Sequence, residues 1–109
     1  MQKGEFDKAI DCYNSAIGIM PDFAKAYYAK GVALCKKKPR SDEPIALYDR
    51  FMEVRQATTM FQKAIEIKPD FVDAYYRKAI AQGGEGFYQD AIDSLNKAIE
   101  MSPSLAAIL

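Results

Sequence analysis

Cys12 and Cys35 are the only thiols of the chain, and it contains no histidine to deprotonate either. A cysteine nucleophile needs a nearby base or a lowered pKa. The sequence around these two supplies neither, so both read as small apolar residues on helices. The missing histidine also excludes Ser-His-Asp catalysis, His-ligated zinc or haem and a histidine pH switch. Two cysteines cannot make a four-thiolate zinc site. Gly83-Gly84-Glu85-Gly86 has the glycine density of a phosphate loop. It lacks the Gly-Lys-Ser/Thr that ends such a loop and follows no strand, so it reads as a turn between helices. Lys36-Lys37-Lys38-Pro39-Arg40 could meet phosphate or act as a localisation signal. The simpler reading is a solvated helix end, where cations offset the negative end of the helix dipole. No catalytic constellation remains, and the expectation is a chain that is not an enzyme and holds no cofactor or metal.

Fifteen Lys and Arg balance fifteen Asp and Glu, for a net charge of zero. That removes the basic field of a general nucleic-acid binder. A length of 109 residues, half of them hydrophobic and 28% charged, suits one small folded domain. No stretch approaches the ~20 apolar residues of a membrane span. Residues 1–7 carry no apolar signal core, so the expected home is the cytoplasm, with neither membrane nor nucleic acid as a partner.

The elements that must position any site emerge from repetition. Ala9, Tyr13 and Ala16 precede Pro21; Ala57, Phe61 and Ala64 precede Pro69; Ala91, Leu95 and Ala98 precede Pro103. Each string has small, bulky and small residues at spacings of four and three, which share one helical face. A second block, Ala26-Tyr27-Tyr28-Ala29-Lys30-Gly31, returns as Ala74-Tyr75-Tyr76-Arg77-Lys78-Ala79. Proline ends each Ala-rich helix, and Asp22 and Asp70 are expected to cap the helices that follow. The pattern predicts an all-α chain with helices over about 5–19, 23–38, 43–67, 71–83 and 87–101. Tyr27, Gly31, Ala57, Phe61, Ala64, Tyr75, Ala91, Leu95 and Ala98 are the expected core.

On these residues the chain resembles the tetratricopeptide repeat (TPR) family, whose 34-residue unit reads W-x2-L-G-x2-Y, then A-x3-F-x2-A, then P. Pro69 to Pro103 spans 34 residues and Pro21 to Pro69 spans 48, one repeat plus 14. Tyr27 and Tyr75 take the tryptophan slot, and Gly31 and Ala79 the small slot. Lys30 and Lys78 depart from the leucine slot, where a lysine stem can still cover apolar surface. The resemblance implies a right-handed superhelix of stacked helix pairs. It divides the chain into 1–23, the second helix of a truncated repeat; 24–71, a repeat with a 14-residue insertion at 39–52; 72–105, a further repeat; and 106–109, the start of a next helix. Read this way, the chain is a piece of a longer repeat protein.

The resemblance also implies a function, a protein-interaction scaffold that holds a peptide or helix of a partner protein in a concave groove. Carried over by position, the groove residues are Lys25, Tyr28, Ala29, Val32 and Lys36 in one unit and Asp73, Tyr76, Arg77 and Ile80 in the next. Tyr28 and Tyr76 could stack on a ligand, and Arg77 could hold a carboxylate. The TPR subclass that captures acidic chaperone tails matches poorly. Ala29 stands where it has Asn and Asp73 where it has Lys. Alternatives are the non-catalytic TPR part of a larger enzyme, such as a glycosyltransferase, and a self-assembly module.

The 14 extra residues include Ser41-Asp42-Glu43-Pro44, a helix start with proline in the first turn. The stripe of Ile45, Tyr48 and Phe51 beyond it either folds back on its own repeat or forms a contact surface. In a homo-oligomer the expected contacts are Ile45, Tyr48, Phe51, Ile108 and Leu109, joined by Phe6, Ile10 and Leu105.

Overall fold

The computed structural model describes residues 3–36 and 44–104, with the side chains of 5–36 and 50–104. Five helices follow one another: α1 (Lys3–Ile19), α2 (Ala24–Lys36), α3 (Pro44–Ile67), α4 (Val72–Gly84) and α5 (Tyr88–Met101). Among the described residues there is no strand, as the helical spacing of the repeats requires. Each helix packs against the next, and α2 also touches α4. With short connections, neighbours run antiparallel and build a stack of helix pairs.

The Pro-Asp segments act as turns. The Phe23 N–H donates to the Met20 carbonyl at 3.1 Å, and the Phe71 N–H to the Lys68 carbonyl at 3.1 Å. Both are four-residue turns with proline second, the place its fixed φ suits. This corrects the expected capping role of Asp70. The turn displaces the helix start by one residue, so Phe71 takes the N-cap position of α4 and makes no side-chain capping bond. Its carbonyl accepts instead from the N–H groups of Ala74 and Tyr75, at 3.1 and 3.3 Å.

The glycine cluster holds the turn between helices that the sequence predicts. Gly83 and Gly84 are the last residues of α4, and Gly86, with φ +88°, makes the turn. The Phe87 N–H reaches the Gln82 carbonyl at 2.9 Å and the Gly86 N–H reaches that of Gly83 at 3.2 Å. These bonds satisfy the last carbonyls of the helix, and the left-handed residue they demand is glycine.

Phe61 of α3 is the largest fully buried side chain. Around it pack Leu34, Ala57 and Ala81, with Tyr28, Val32 and Val54 at the margin. A second cluster joins Ala64, Ile65 and Ala74, flanked by Tyr27, Phe71 and Tyr75. Of the expected core, Gly31, Ala57, Phe61, Ala64 and Ala98 are buried, whereas Tyr27, Tyr75, Ala91 and Leu95 are half-buried. A tyrosine in a slot shaped for a larger ring keeps one edge in water, since its hydroxyl favours a wet end. Lys78 is half-buried as its stem suggests, with Nζ donating to Gln62 Oε1 at 2.6 Å.

Proline at the first position of α3 matches the expected start. At 24 residues α3 far outruns the 13 of α2. Among the described side chains of its first turns, Arg50 reaches α2. Arg50 Nη1 donates to the Leu34 carbonyl at 2.7 Å and Nη2 to the Cys35 carbonyl. A guanidinium thus caps the C-terminal end of α2, where the carbonyls lack helical partners and the dipole is negative. Phe51 and Met52 face outward, with the Arg55 guanidinium over the Phe51 ring at 5.9 Å. The backbone at Ile45 and Tyr48 is helical, but their side chains, like Leu105, Ile108 and Leu109, lie outside the described residues.

Candidate functional site

Tyr28, Val32 and Cys35 recur at four and three along α2, so they share one face; on α4, Arg77, Ile80, Ala81 and Gly84 do the same. Where α2 and α4 approach, with α3 closing one side, an open pocket of about 250 Å³ forms. Cys35, Arg50, Val54, Arg77, Ile80, Ala81 and Gly84 line it. Of the groove residues expected from the sequence, Arg77 and Ile80 meet here. Arg77 is half-buried and Ile80 is 53% exposed, an aliphatic surface facing water.

The other expected groove residues lie elsewhere on the two helices. The half-buried Tyr28 ring is held 4.9 Å from Phe71 and 5.9 Å from Phe61, so it joins one repeat to the next. Val32 packs against the Phe61 cluster. Lys25, Lys36 and Asp73 are exposed, and Ala29 and Tyr76 are half-buried.

Arg50, Val54, Cys35, Ala81 and Gly84 were not among the expected groove residues. Cys35 could have been found by extending the Tyr28–Val32 stripe one turn. Arg50 and Val54 carry no such signal, because they enter only through the path of the long helix.

Among the described residues, the charged side chains that line the pocket are Arg50 and Arg77. Among the described residues Arg77 takes part in no ion pair. The nearby acid, Glu85, has a side chain only 4% exposed and is already engaged: Thr58 Oγ1 donates to its Oε1 at 3.1 Å, and Arg55 Nε lies 4.0 Å from its Oε2. The Arg50 guanidinium bonds the carbonyls of α2. Burial pushes the Cys35 thiol above its ordinary pKa, against the opposing pull of Arg50 and Arg77 and with a small upward push from Glu85. A protonated, sheltered thiol is a wall of the pocket and a poor nucleophile. Both cysteines are free, with Cys12 exposed. Among the described residues, no group of His, Cys, Asp or Glu could hold a metal ion, and no helix is long and apolar enough to cross a membrane.

The sequence matches a family model described as TPR repeat over residues 1–38 and another described as tetratricopeptide repeat over 72–105. The chain belongs to the tetratricopeptide repeat family. Its all-α stack is that of a TPR superhelix, and solved TPR structures superpose on it. The TPR2B domain of yeast Sti1, solved as a complex described as TPR2B-domain:pHsp70, is 28% identical, with a TM-score of 0.73 over 96% of this chain and 73% of that one. The crystal structure of MamA is 30% identical, with a TM-score of 0.72 over 94% of this chain and 52% of MamA. The chain therefore spans about half the length of MamA. No curated protein matches it in sequence. The TPR repeats support reading the helices as a protein-interaction module.

Proposed function

We propose that the face shared by α2 and α4 binds an extended peptide or a helix of a partner protein. The observation that carries this reading is the open pocket between the two helices, where Arg77, in no ion pair among the described residues, stands beside exposed Ile80. An aliphatic wall with one available guanidinium suits a peptide carrying apolar and acidic side chains. Support also comes from Sti1, whose related TPR domain was solved in a complex with pHsp70. Ala29 and Asp73 still disfavour an acidic chaperone tail as the ligand here, because neither can donate a hydrogen bond from its side chain to a carboxylate. We read the module as non-catalytic, since the raised Cys35 pKa runs opposite to what a nucleophile needs.

Peptides selected from a displayed library, then mapped by amide chemical shifts, test the reading. Shifts gathered on α2 and α4, and binding lost on Ile80→Ala and Arg77→Ala, are the expected result. Shifts confined to the outer faces of α3 and α5 would refute it.

Self-association is a second reading, favoured by apolar side chains left in water. Ile19 is 87% exposed near one end of the stack, and Tyr88 is 69% exposed near the other. Phe51 and Met52 add to this on the long helix. Sedimentation equilibrium that finds only monomer at high micromolar concentration would exclude it.

A further inference from the structure

The last turn of α4 leads into the connection to α5 and supplies part of the pocket wall through Ala81 and Gly84. This segment is held unlike the rest of the stack. No residue from 82 to 93 is buried, and its two aromatic side chains, Phe87 and Tyr88, are 46% and 69% exposed. The turn before α4, by contrast, is tied down by the Phe71 ring against Tyr28. Glycine weakens the segment further. Gly83 and Gly84 give the end of α4 low helix propensity, and Gly86 makes the turn with a left-handed φ. Beyond the backbone bonds of the turn, polar side chains of both neighbouring helices hold it. From α3, Thr58 Oγ1 donates to Glu85 Oε1 at 3.1 Å and Arg55 Nε lies 4.0 Å from Oε2. From α5, Ser94 Oγ donates to Gln82 Oε1 at 2.8 Å.

We propose that the α4–α5 turn is a movable wall of the pocket, latched closed by Glu85 on Thr58 and Arg55. A segment that buries little apolar surface opens locally at a lower free energy than the whole fold. Release of Glu85 lets the last turn of α4 unwind, which carries Gly84 away from Cys35 and Val54 and widens the pocket. Ala81 belongs to the Phe61 cluster and marks where the unwinding stops. As a regulator of partner binding, the wall rests on the reading of the α2–α4 face as a peptide site; the motion itself does not.

Cys35 lines the pocket and reports its width, in the full chain carrying Cys12→Ser. Iodoacetamide is a small reagent, whereas fluorescein maleimide needs a wider opening. Hydrogen exchange of amides 83–87 follows the same motion. Glu85→Ala deletes the latch and is expected to speed maleimide labelling and this exchange about tenfold or more. Iodoacetamide labelling should change less, and amides 57–65 of α3 should not change. Gly84→Ala acts in the opposite direction. A Cβ there meets nothing within 4 Å and the residue has no left-handed φ, so alanine stiffens the last turn. Labelling by maleimide and exchange should slow by up to about fivefold. Thr58→Val keeps the shape of the side chain, deletes the donor and should fall between the parent and Glu85→Ala. Maleimide labelling indifferent to Glu85→Ala and Gly84→Ala, or exchange that accelerates equally throughout α3, overturns the movable wall. Should Glu85→Ala not fold, Gly84→Ala decides alone. If the wall responds while no library peptide touches α2 and α4, the motion stands and the groove reading falls. If peptides bind there while labelling ignores both variants, the groove stands without a movable wall.

Discussion

A Cβ placed on Gly31 would stand 2.6 Å from Cε1 of Phe61, with Cδ1 and Cζ at 2.9 and 3.0 Å. The ring of α3 rests on the bare backbone of α2, so the two helices approach as closely as glycine permits. Alanine elsewhere in a helix would gain about 1 kcal/mol over glycine. Here the ring is fully buried and cannot swing away. Gly31→Ala is therefore expected to destabilise by about 1–3 kcal/mol, as overpacking does. A urea midpoint at or above that of the parent would show that α2 and α3 can separate at little cost.

Phe61→Ala removes the largest fully buried side chain and should cost about 3–5 kcal/mol. The double variant with Gly31→Ala should cost less than the sum of the two, because the truncated ring no longer meets the new methyl. Additive losses in denaturant unfolding would contradict the contact.

Phe71 ties the turn before α4 to Tyr28 of α2, with Lys68 Nζ 5.0 Å from its ring centre. Being half-buried, it should lose about 2 kcal/mol on change to Ala, a fraction of the full burial value. Hydrogen exchange should then accelerate in α4 and α5 more than in α1. Uniform acceleration would mean that Phe71 does not act as the joint between repeats.

Arg50→Met keeps the aliphatic stem and deletes the two bonds to the carbonyls of Leu34 and Cys35. A loss of about 1–2 kcal/mol is expected, with faster exchange in the last turn of α2. Exchange unchanged there would mean that water replaces the guanidinium without penalty.

Burial raises the Cys35 pKa above its ordinary 9.0, so the folded chain holds that proton more tightly than the unfolded one. The stability this provides is fully present below the unfolded value and is lost as pH rises through the folded value. Stability should therefore fall more steeply above roughly pH 9 in the parent than in Cys35→Ser. At mildly alkaline pH, iodoacetamide should modify exposed Cys12 well before Cys35. Faster modification of Cys35 would contradict its shelter.

The helices were legible because their signals are local. Ala57, Phe61 and Ala64 share a face by spacing alone, and the prolines at 21, 69 and 103 mark the period. Gly31 in the small slot and Phe61 in the bulky one foretold a close helix contact. Capping was less legible, since Asp70 and Phe71 differ by one residue and only the closed turn decides between them.

By itself the sequence determined the helical class and the phase of the repeats, because these follow from residues a few positions apart. Tertiary structure alone decided that Arg50 returns to cap α2, that Glu85 is buried against Thr58 and Arg55, and that Cys35, Val54 and Arg77 share one pocket. Those groups come from three helices and lie 15 or more residues apart in most pairings, and no helical period relates one helix to another. Their meeting depends on how α3 packs against α2 and α4, with Arg50 bonded to the carbonyls of α2.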